Sequence, residues 1–325
     1  MISSVLVPLD GSAESTQAIP YAQALLPDSG TVLLFTVVPD RGSLIAGDPA
    51  LTQWQTTLNP GAEAPHAAEL NAARAELQQI ASRDADTRLT WNVAAAYGDP
   101  ADQILQMVSH NHIDLIAMTT HGRGALGRTL FGSVADRIVR TASVPVLLIR
   151  PGTTAPAPEP VAIARLLVPL DGSDLAESAL PVAAELAKRL AIPIHLIRAT
   201  NAAMTLATLS GSSPFPVNPP ADVYDRLTTD LNQAATSYLD GVVKRLSAQG
   251  VDATFQVLDG SPYAEILGAV KPGDVLVMTS HGHGGVMRWL MGSVAEKLVR
   301  EAPAPVLLVP AAGRGAATSP GAKPR

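Results

Sequence analysis

The sequence predicts an α/β protein of two tandem domains, each a doubly wound parallel sheet of five strands with helices on both faces. Three observations predict it. First, the chain is duplicated. VLVPLDGS from Val5 to Ser12 returns as LLVPLDGS from Leu166 to Ser173, an offset of 161 residues. GSVAD from Gly132 to Asp136 returns as GSVAE from Gly292 to Glu296, and VPVLLI from Val144 to Ile149 as APVLLV from Ala304 to Val309, both at an offset of 160. A period this long marks a repeated domain, because solenoid units recur roughly every 20–50 residues. Second, short apolar runs alternate with helical segments, and strands apolar on both faces need a parallel sheet covered on both sides. Third, 325 residues suit two domains of roughly 150 residues each.

The elements follow in order, here for the first copy. Ile2–Leu9 is an apolar strand closed by Asp10-Gly11-Ser12, a turn leading into a helix. Ala13–Leu26 has helical spacing, and Thr31–Val38 is a continuous apolar strand. Pro39–Pro65, like Asn201–Pro220 in the second copy, is rich in Pro, Gly and Ser and reads as a long loop, either an insertion or a lid. Ala67–Ala81, rich in Ala, Glu, Leu and Gln, is helical. Arg88–Ala95 is the third strand. Asp99 and Pro100 supply an N-cap and a first helical residue for a helix through Val108. Ile113–Thr119 is the fourth strand, Ser133–Thr141 a helix and Pro145–Ile149 the fifth strand. The domains are expected at 1–150 and 161–310, with a proline-rich linker over 151–160 and a disordered Gly/Ala/Pro tail over 311–325.

Composition removes several functions. Apolar residues make up 47% and charged ones 16%, enough to bury two cores. A net charge of −6 argues against a nucleic-acid partner held through phosphate neutralisation. With no cysteine, disulfides, thiol nucleophiles and Cys-based metal sites fall away. The first residues, MISSVLVPLDGS, show neither a basic n-region nor an apolar h-region. No apolar run approaches a membrane span of about 18 residues. A cytoplasmic protein with no membrane partner is expected.

In an open α/β sheet, ligands bind beyond the carboxyl ends of the strands, where the strand order reverses. The loop after strand four is therefore informative. Copy one reads THGRGALGRTLFGSV from Thr120 to Val134, and copy two SHGHGGVMRWLMGSV from Ser280 to Val294. Both place a glycine (Gly122, Gly282), nine residues, then Gly132-Ser133 or Gly292-Ser293 opening a helix. Glycine lets backbone approach a ligand closely, and a helix N-terminus receives an anion through its N–H groups and dipole. Arg128 and Arg288 occupy matching places and add charge. The alternative is a Gly-Ser cap with no ligand, but recurrence on the expected loop favours an anion site. Gly122-Arg123-Gly124 opens a literal G-x-G-x-x-G, yet it follows strand four rather than strand one, and copy two carries Met287 at the third glycine. No P-loop signature occurs anywhere. His121 and His281 lack an evident nucleophile or carboxylate partner nearby in sequence, and the pair His281 and His283 is not shared by copy one; neither a catalytic base nor a metal site is expected.

Together VPLDGS, the THG or SHG loop with its nine-residue spacing to GSVA, and PVLLI or PVLLV resemble the universal stress protein family over both copies. The resemblance implies a Rossmann-like domain, similar to the adenine nucleotide alpha hydrolase fold, of the ATP-binding subtype with the motif G-x2-G-x9-G-[S/T]. Carried over, Gly122, Gly132 and Ser133, then Gly282, Gly292 and Ser293, meet the phosphates, with Val134 and Val294 following. The family's first glycine is replaced by Thr119 and Thr279, so a side chain stands where backbone would be bare. The acidic residue ending strand one and the backbone ending strand two, which the family places around adenosine, fall on Asp10 and Val37 and on Asp171 and Ala199. A plainer role for the two aspartates is capping the following helix with Ser12 or Ser173, and both roles can hold together. The implied function is a nucleotide-dependent stress regulator or sensor binding ATP, with Mg²⁺ arriving on the phosphate oxygens. The alternatives are an interaction scaffold with empty sites and a slow ATPase with at most weak hydrolysis. The apolar last strands would leave unpaired backbone at a sheet edge, so an intramolecular pseudo-twofold pairing of the copies, and homo-oligomers by the same means, are expected.

The two loops differ at Arg123 and His283. A guanidinium is always charged, whereas a histidine of pKa ~6.5 is mostly neutral at pH 7.5. Copy one should therefore hold ATP more tightly at neutral pH, and lowering the pH towards 6 should strengthen copy two selectively. Calorimetric titration of the halves 1–155 and 158–325 at pH 6 and pH 8 measures this; equal affinities with no pH response in the second half contradict it.

Overall fold

Strand β1, Ser4–Pro8, is buried at Val5, Leu6 and Val7 and pairs on both sides. A computed structural model describes residues 2–39, 63–84, 86–120, 132–151, 161–209, 220–279 and 292–311. The chain divides into two compact units, Met1–Ala162 and Ile163–Arg325.

In the first unit β1 is followed by α1 (Ala13–Thr16), α2 (Ile19–Ala24), β2 (Thr31–Val38), α3 (Glu63–Asp84), β3 (Thr90–Tyr97), α4 (Pro100–His110), β4 (Leu115–Thr119), α5 (Ser133–Thr141) and β5 (Val146–Ile149). All pairings are parallel, in the order β3-β2-β1-β4-β5. The chain steps outward from β1 to β3, then returns to the other side of β1. Right-handed crossovers therefore put the helices of the two halves on opposite faces. β4 and β5 are buried at every residue, as a doubly covered strand must be, while β3 alternates exposed and half-buried positions at its start.

The second unit repeats this plan: β6 (Arg165–Pro169), α6 (Asp174–Glu177), α7 (Leu180–Leu190), β7 (Ile194–Thr200), α8 (Ala202–Leu209), α9 (Ala221–Ala248), β8 (Ala253–Asp259), α10 (Pro262–Ala269), β9 (Asp274–Thr279), α11 (Ser293–Glu301) and β10 (Val306–Val309). Its parallel order is β8-β7-β6-β9-β10.

Thr31–Val38 and Ser133–Thr141 fall where the sequence puts them. Several expectations need correction. The helix expected over Ala13–Leu26 is two pieces, because Pro20 in the first turn of α2 has no N–H to continue the ladder from α1. Pro181 divides α6 from α7 in the same way. Strand three starts at Thr90 rather than Arg88: Asp86 accepts from the Arg88 amide at 2.9 Å and holds a turn there. The first, fourth and fifth strands are trimmed to Ser4–Pro8, Leu115–Thr119 and Val146–Ile149, and α4 runs on to His110. The helix read over Ala67–Ala81 extends to Glu63–Asp84. Asn201–Pro220 is not all loop. Asn201 Oδ1 accepts from the Met204 amide at 2.8 Å and starts α8, an Ala/Leu/Met/Thr helix. Residues 40–62 and 210–219 of those stretches, the expected linker over 152–160 and the tail beyond 311 lie outside the described residues.

At the amino ends of the strands each unit ties β1 or β6 to the strand beside it through one aspartate. Asp114 accepts from the Ser3 amide, the Ser3 hydroxyl and the Ser4 amide at 2.8, 2.9 and 3.1 Å. Its counterpart Asp274 is buried and forms a forked pair with Arg165, Nε to Oδ1 at 2.7 Å and Nη2 to Oδ2 at 2.9 Å. Breaking such a pair by deleting one partner costs about 3–5 kcal/mol, mainly because the other charge is left buried. His195 lies in the same neighbourhood. Burial first, then the Arg165 charge, depresses its pKa below the ordinary histidine value.

A histidine with a folded pKa below its unfolded pKa of ~6.5 adds stability above that pH and loses it as the pH falls through the folded value. The second unit should therefore unfold at lower urea as the pH drops from 7.5 towards 5. His195→Gln should flatten that response, read as the difference between the two urea-midpoint profiles.

Candidate functional site

The reversal of strand order on either side of β1 opens a crevice at the carboxyl ends of β1 and β4, the place where such sheets bind ligands. Four segments reach it in each unit.

The first is the turn after β1. Asp10 Oδ1 accepts from the Ser12 amide at 3.0 Å and from the Ser12 hydroxyl, and Ser12 Oγ in turn accepts from the Ser15 amide at 3.2 Å. Ser12 is thus the N-cap of α1, and Asp10 braces the cap. The second unit repeats the device. Asp171 Oδ1 accepts from the Ser173 amide and hydroxyl at 2.9 and 2.6 Å, and Ser173 caps α6 through the Ala176 amide at 3.0 Å. Gly11 and Gly172 stand at φ +77° and +88°, where only glycine is at ease. Both aspartates are exposed at the end of their strands.

The second segment is the end of the neighbouring strand. Pro8 pairs with Phe35, and the Leu9 amide donates to the Phe35 carbonyl at 2.8 Å, so two residues further on Asp10 lies beside Val37. In the second unit Pro169 pairs with Ile197 and the Leu170 amide donates to its carbonyl at 2.8 Å, which sets Asp171 beside Ala199.

The third and fourth segments are the end of β4 and the start of α5. Thr119 pairs with Ile149 and is buried, as is Thr120. The Thr120 amide donates to the Ile149 carbonyl at 2.9 Å, and the Gly132 amide donates to the Thr120 carbonyl at 2.9 Å. Thr120 and Gly132, which flank residues 121–131 in the sequence, are therefore joined by one hydrogen bond. Thr279 ends β9 in the same buried place, paired with Val309. The threonines at the family's first glycine position thus belong to the strand ends.

Gly132 is the N-cap of α5 at φ −61°, ψ 146°, and Gly292 that of α11 at φ −57°, ψ 146°. Those angles suit any residue. Among the described residues a Cβ at Gly132 would meet only the Thr120 carbonyl at 3.5 Å, an ordinary contact. Neither backbone strain nor packing among the described residues explains the glycine, and a Ser or Asp there would cap the helix better. Ser133 and Ser293 are exposed beyond it, Val134 and Val294 are half-buried, and Ala135, Ile138 and Val139 fix α5 in the core. First-turn N–H groups have no partner within their own helix and carry the positive dipole end. Asp136, the acidic residue of that turn, is held by the Arg140 guanidinium at 2.8–3.0 Å, which compensates its charge.

The structure therefore brings Asp10, Val37, Thr119, Gly132, Ser133 and Val134 to one sheet end, and Asp171, Ala199, Thr279, Gly292, Ser293 and Val294 to the corresponding end of the second unit. Gly122, Arg123, Gly282 and His283 lie outside the described residues. Among the described residues no His, Asp and Glu side chains gather as a metal centre, and no helix is long and apolar enough to cross a membrane.

Sequence reading passed over Arg198. Its guanidinium lies 3.0–3.2 Å from where a Cβ on Gly172 would be, and 4.9 Å from the centre of the Tyr238 ring on α9. Burial first, then the neighbouring Glu177 carboxylate, pushes the Tyr238 hydroxyl above the usual tyrosine pKa. Glu177 is bonded in turn to Arg245 Nη2 at 2.5 Å. Aligning the two copies residue by residue would have flagged Arg198, Tyr238 and Glu177, since the first copy carries Thr36, Glu76 and Thr16 there.

The profile of the Universal stress protein family matches residues 1–150 and 163–310. A universal stress protein of Mycobacterium tuberculosis (strain ATCC 25618 / H37Rv) is 28% identical over 224 residues, 69% of this chain and 70% of that protein. One of Mycolicibacterium smegmatis is 26% identical over 319 residues, 94% of this chain and 96% of that protein. Among solved structures, a universal stress protein from Archaeoglobus fulgidus DSM 4304 has the same fold, with a TM-score of 0.61 at 18% identity, covering 95% of this chain and 99% of that one.

The two kinds of glycine should separate in stability. Gly132→Ser should leave the urea midpoint unchanged or raise it by a few tenths of a kcal/mol, since serine is at least as good an N-cap. Gly172→Ala, forced to a positive φ and into the Arg198 side chain, should cost about 1–3 kcal/mol. Equal costs at the two positions would contradict this account of the loop.

Proposed function

The chain belongs to the universal stress protein family, and from that premise we propose that each unit binds one adenine nucleotide, ATP, and that the protein acts in the cytoplasm as a stress regulator whose output follows nucleotide occupancy. One observation carries the proposal: a bare glycine caps α5 although neither its backbone angles nor the described residues around it call for one. A site that needs backbone within reach of phosphate oxygens accounts for it.

The remaining residues fit the same ligand. The amides of Ser133 and Val134, and of Ser293 and Val294, sit at the positive ends of α5 and α11 and suit a polyphosphate. Gly122 and Arg123, and Gly282 and His283, belong to the loops that lead there, and they would cover the phosphates. Asp10 and Asp171, each on a turn already fixed by its serine, are acceptors for ribose hydroxyls. Val37 and Ala199 line the base beside them. A bound nucleotide would bring the triphosphate's negative charge and Mg²⁺ held mainly by phosphate oxygens. Asp136 poses no obstacle in the first unit, because Arg140 neutralises it.

Gly132→Val combined with Gly292→Val should lower ATP affinity at least about tenfold, because a branched side chain holds phosphate off the amides, while the circular dichroism spectrum and urea midpoint stay near wild type. Unchanged affinity in a folded double variant removes the assignment of the loop. Nucleotide released from the purified wild-type protein by denaturation separates this reading from an empty scaffold, and ADP accumulation on incubation separates it from a slow ATPase.

A further inference from the structure

One half-buried cation of the second unit has no counter-ion among the described residues. Arg198 lies near the carboxyl end of β7, one residue before Ala199. Its Nη1 and Nη2 lie 3.0 and 3.1 Å from where a Cβ on Gly172 would be, and the guanidinium carbon lies 4.9 Å from the centre of the Tyr238 ring. An aromatic ring and a bare stretch of backbone therefore fix where the guanidinium stands. Among the described residues no hydrogen bond or ion pair engages its N–H donors. The Gly172 amide, at the same turn, is likewise unbonded among the described residues. Neither nearby carboxylate bonds Arg198. Glu177 pairs with Arg245 Nη2 at 2.5 Å, and Asp171 turns Oδ1 to the Ser173 amide and hydroxyl at 2.9 and 2.6 Å.

A guanidinium with its planar fork of donors unfilled matches a phosphate, which can accept two parallel N–H bonds. Position decides which phosphate. The polyphosphate of the nucleotide reading belongs at the start of α11, which follows β9, whereas Arg198 extends from β7 on the opposite flank of β6. Two strand spacings, roughly 10 Å, separate β7 from β9. Arg198 stands instead with Asp171, the acceptor for ribose hydroxyls. In dinucleotide-binding sheets an acidic residue takes the ribose hydroxyls and a nearby arginine accommodates a phosphate carried there. The first unit lacks the cation. β7 matches β2 at an offset of 162 residues, since Ile197 faces Pro169 as Phe35 faces Pro8, so the uncharged Thr36 stands for Arg198.

We propose that Arg198 is the receiving group of a second anion subsite, so that the second unit takes an adenine nucleotide carrying a further phosphate on a ribose hydroxyl. The ligand class rests on the nucleotide reading above, since that reading sets the ribose beside Asp171. Arg198 then separates the specificities of the two units: the first accepts an ordinary adenine nucleotide, and the second prefers one phosphorylated on its sugar.

Calorimetric titration of the full-length chain tests this, with AMP, adenosine 2′,5′-bisphosphate and adenosine 3′,5′-bisphosphate as probes. AMP is the reference, because it differs from the other two only by the phosphate on the ribose. The full chain carrying Gly132→Val reports the second unit, and the full chain carrying Gly292→Val reports the first. The second unit should bind one of the bisphosphates at least about tenfold more tightly than AMP, the gain from one charge-assisted fork. The first unit should show no such preference. Arg198→Thr, which installs the first unit's residue, should bring the bisphosphate and AMP affinities of the second unit together. The comparison of probes needs no substitution at Arg198, so it decides the matter even where that variant folds poorly. Equal affinities for all three probes in the second unit overturn the proposal. So does a bisphosphate preference that survives Arg198→Thr or that appears equally in the first unit. Failure of the wild-type chain to bind ATP or any of the three probes overturns the nucleotide reading and this proposal with it, whereas binding of ATP without discrimination among the probes overturns this proposal alone.

Discussion

Each unit depends on one strand having partners on both sides. β1 pairs with β2 on one flank and β4 on the other, and Val5, Leu6 and Val7 are fully buried between the helical layers. A parallel strand cannot reach its neighbour by a tight turn, so every connection must cross a face of the sheet. Because the chain leaves β1 in one direction and comes back on its other side, the connections after β1 and β4 part from each other at the carboxyl end. The crevice between them is a by-product of that topology. What the sequence adds is chemistry at its rim: an aspartate on a serine-braced turn, and a helix whose N-cap carries no side chain.

The same constraint explains what differs between the copies. At the amino end of the sheet both units need an aspartate to hold the entering strand, and both have one. Asp114 satisfies two amides and a hydroxyl, whereas Asp274 is buried and takes a guanidinium. Replacing Ser4 by Arg165 at the matching place turned a backbone tie into an ion pair without altering the pairing of β6 with β9. Divergence at the carboxyl end is of another kind. There Arg198, Tyr238 and Glu177 stand where the first unit has Thr36, Glu76 and Thr16, around a turn whose own hydrogen bonds are alike in both units.

Much of this was legible in the residues because it is local or periodic. Thr31–Val38 is a run of apolar β-formers with no alternative, and Asp99-Pro100 states a helix start that the Asp102 amide confirms at 2.9 Å. The GSVA segment is a helix start whose missing side chain is visible in the sequence, although only the geometry at Gly132 shows that neither its backbone angles nor the described residues around it require a glycine. The failures were equally physical. Helical spacing over Ala13–Leu26 outweighed Pro20, and loop-like composition over Asn201–Pro220 hid the Asn201 cap of α8. Arg198 could not be found from local pattern at all, since its meaning lies in Gly172, which is 26 residues earlier, and in Tyr238, which is 40 later. Burial and register had to bring the three together.

The account's central claim is that the duplicated crevice is a duplicated nucleotide site. Native mass spectrometry of the full-length chain in a volatile buffer, titrated with ATP, tests it most directly. The account predicts two successive mass increments of one nucleotide per chain, with nothing further at modest excess. A spectrum that stays at the unliganded mass, or that gains nucleotides in a statistical series without saturating at two, would contradict it.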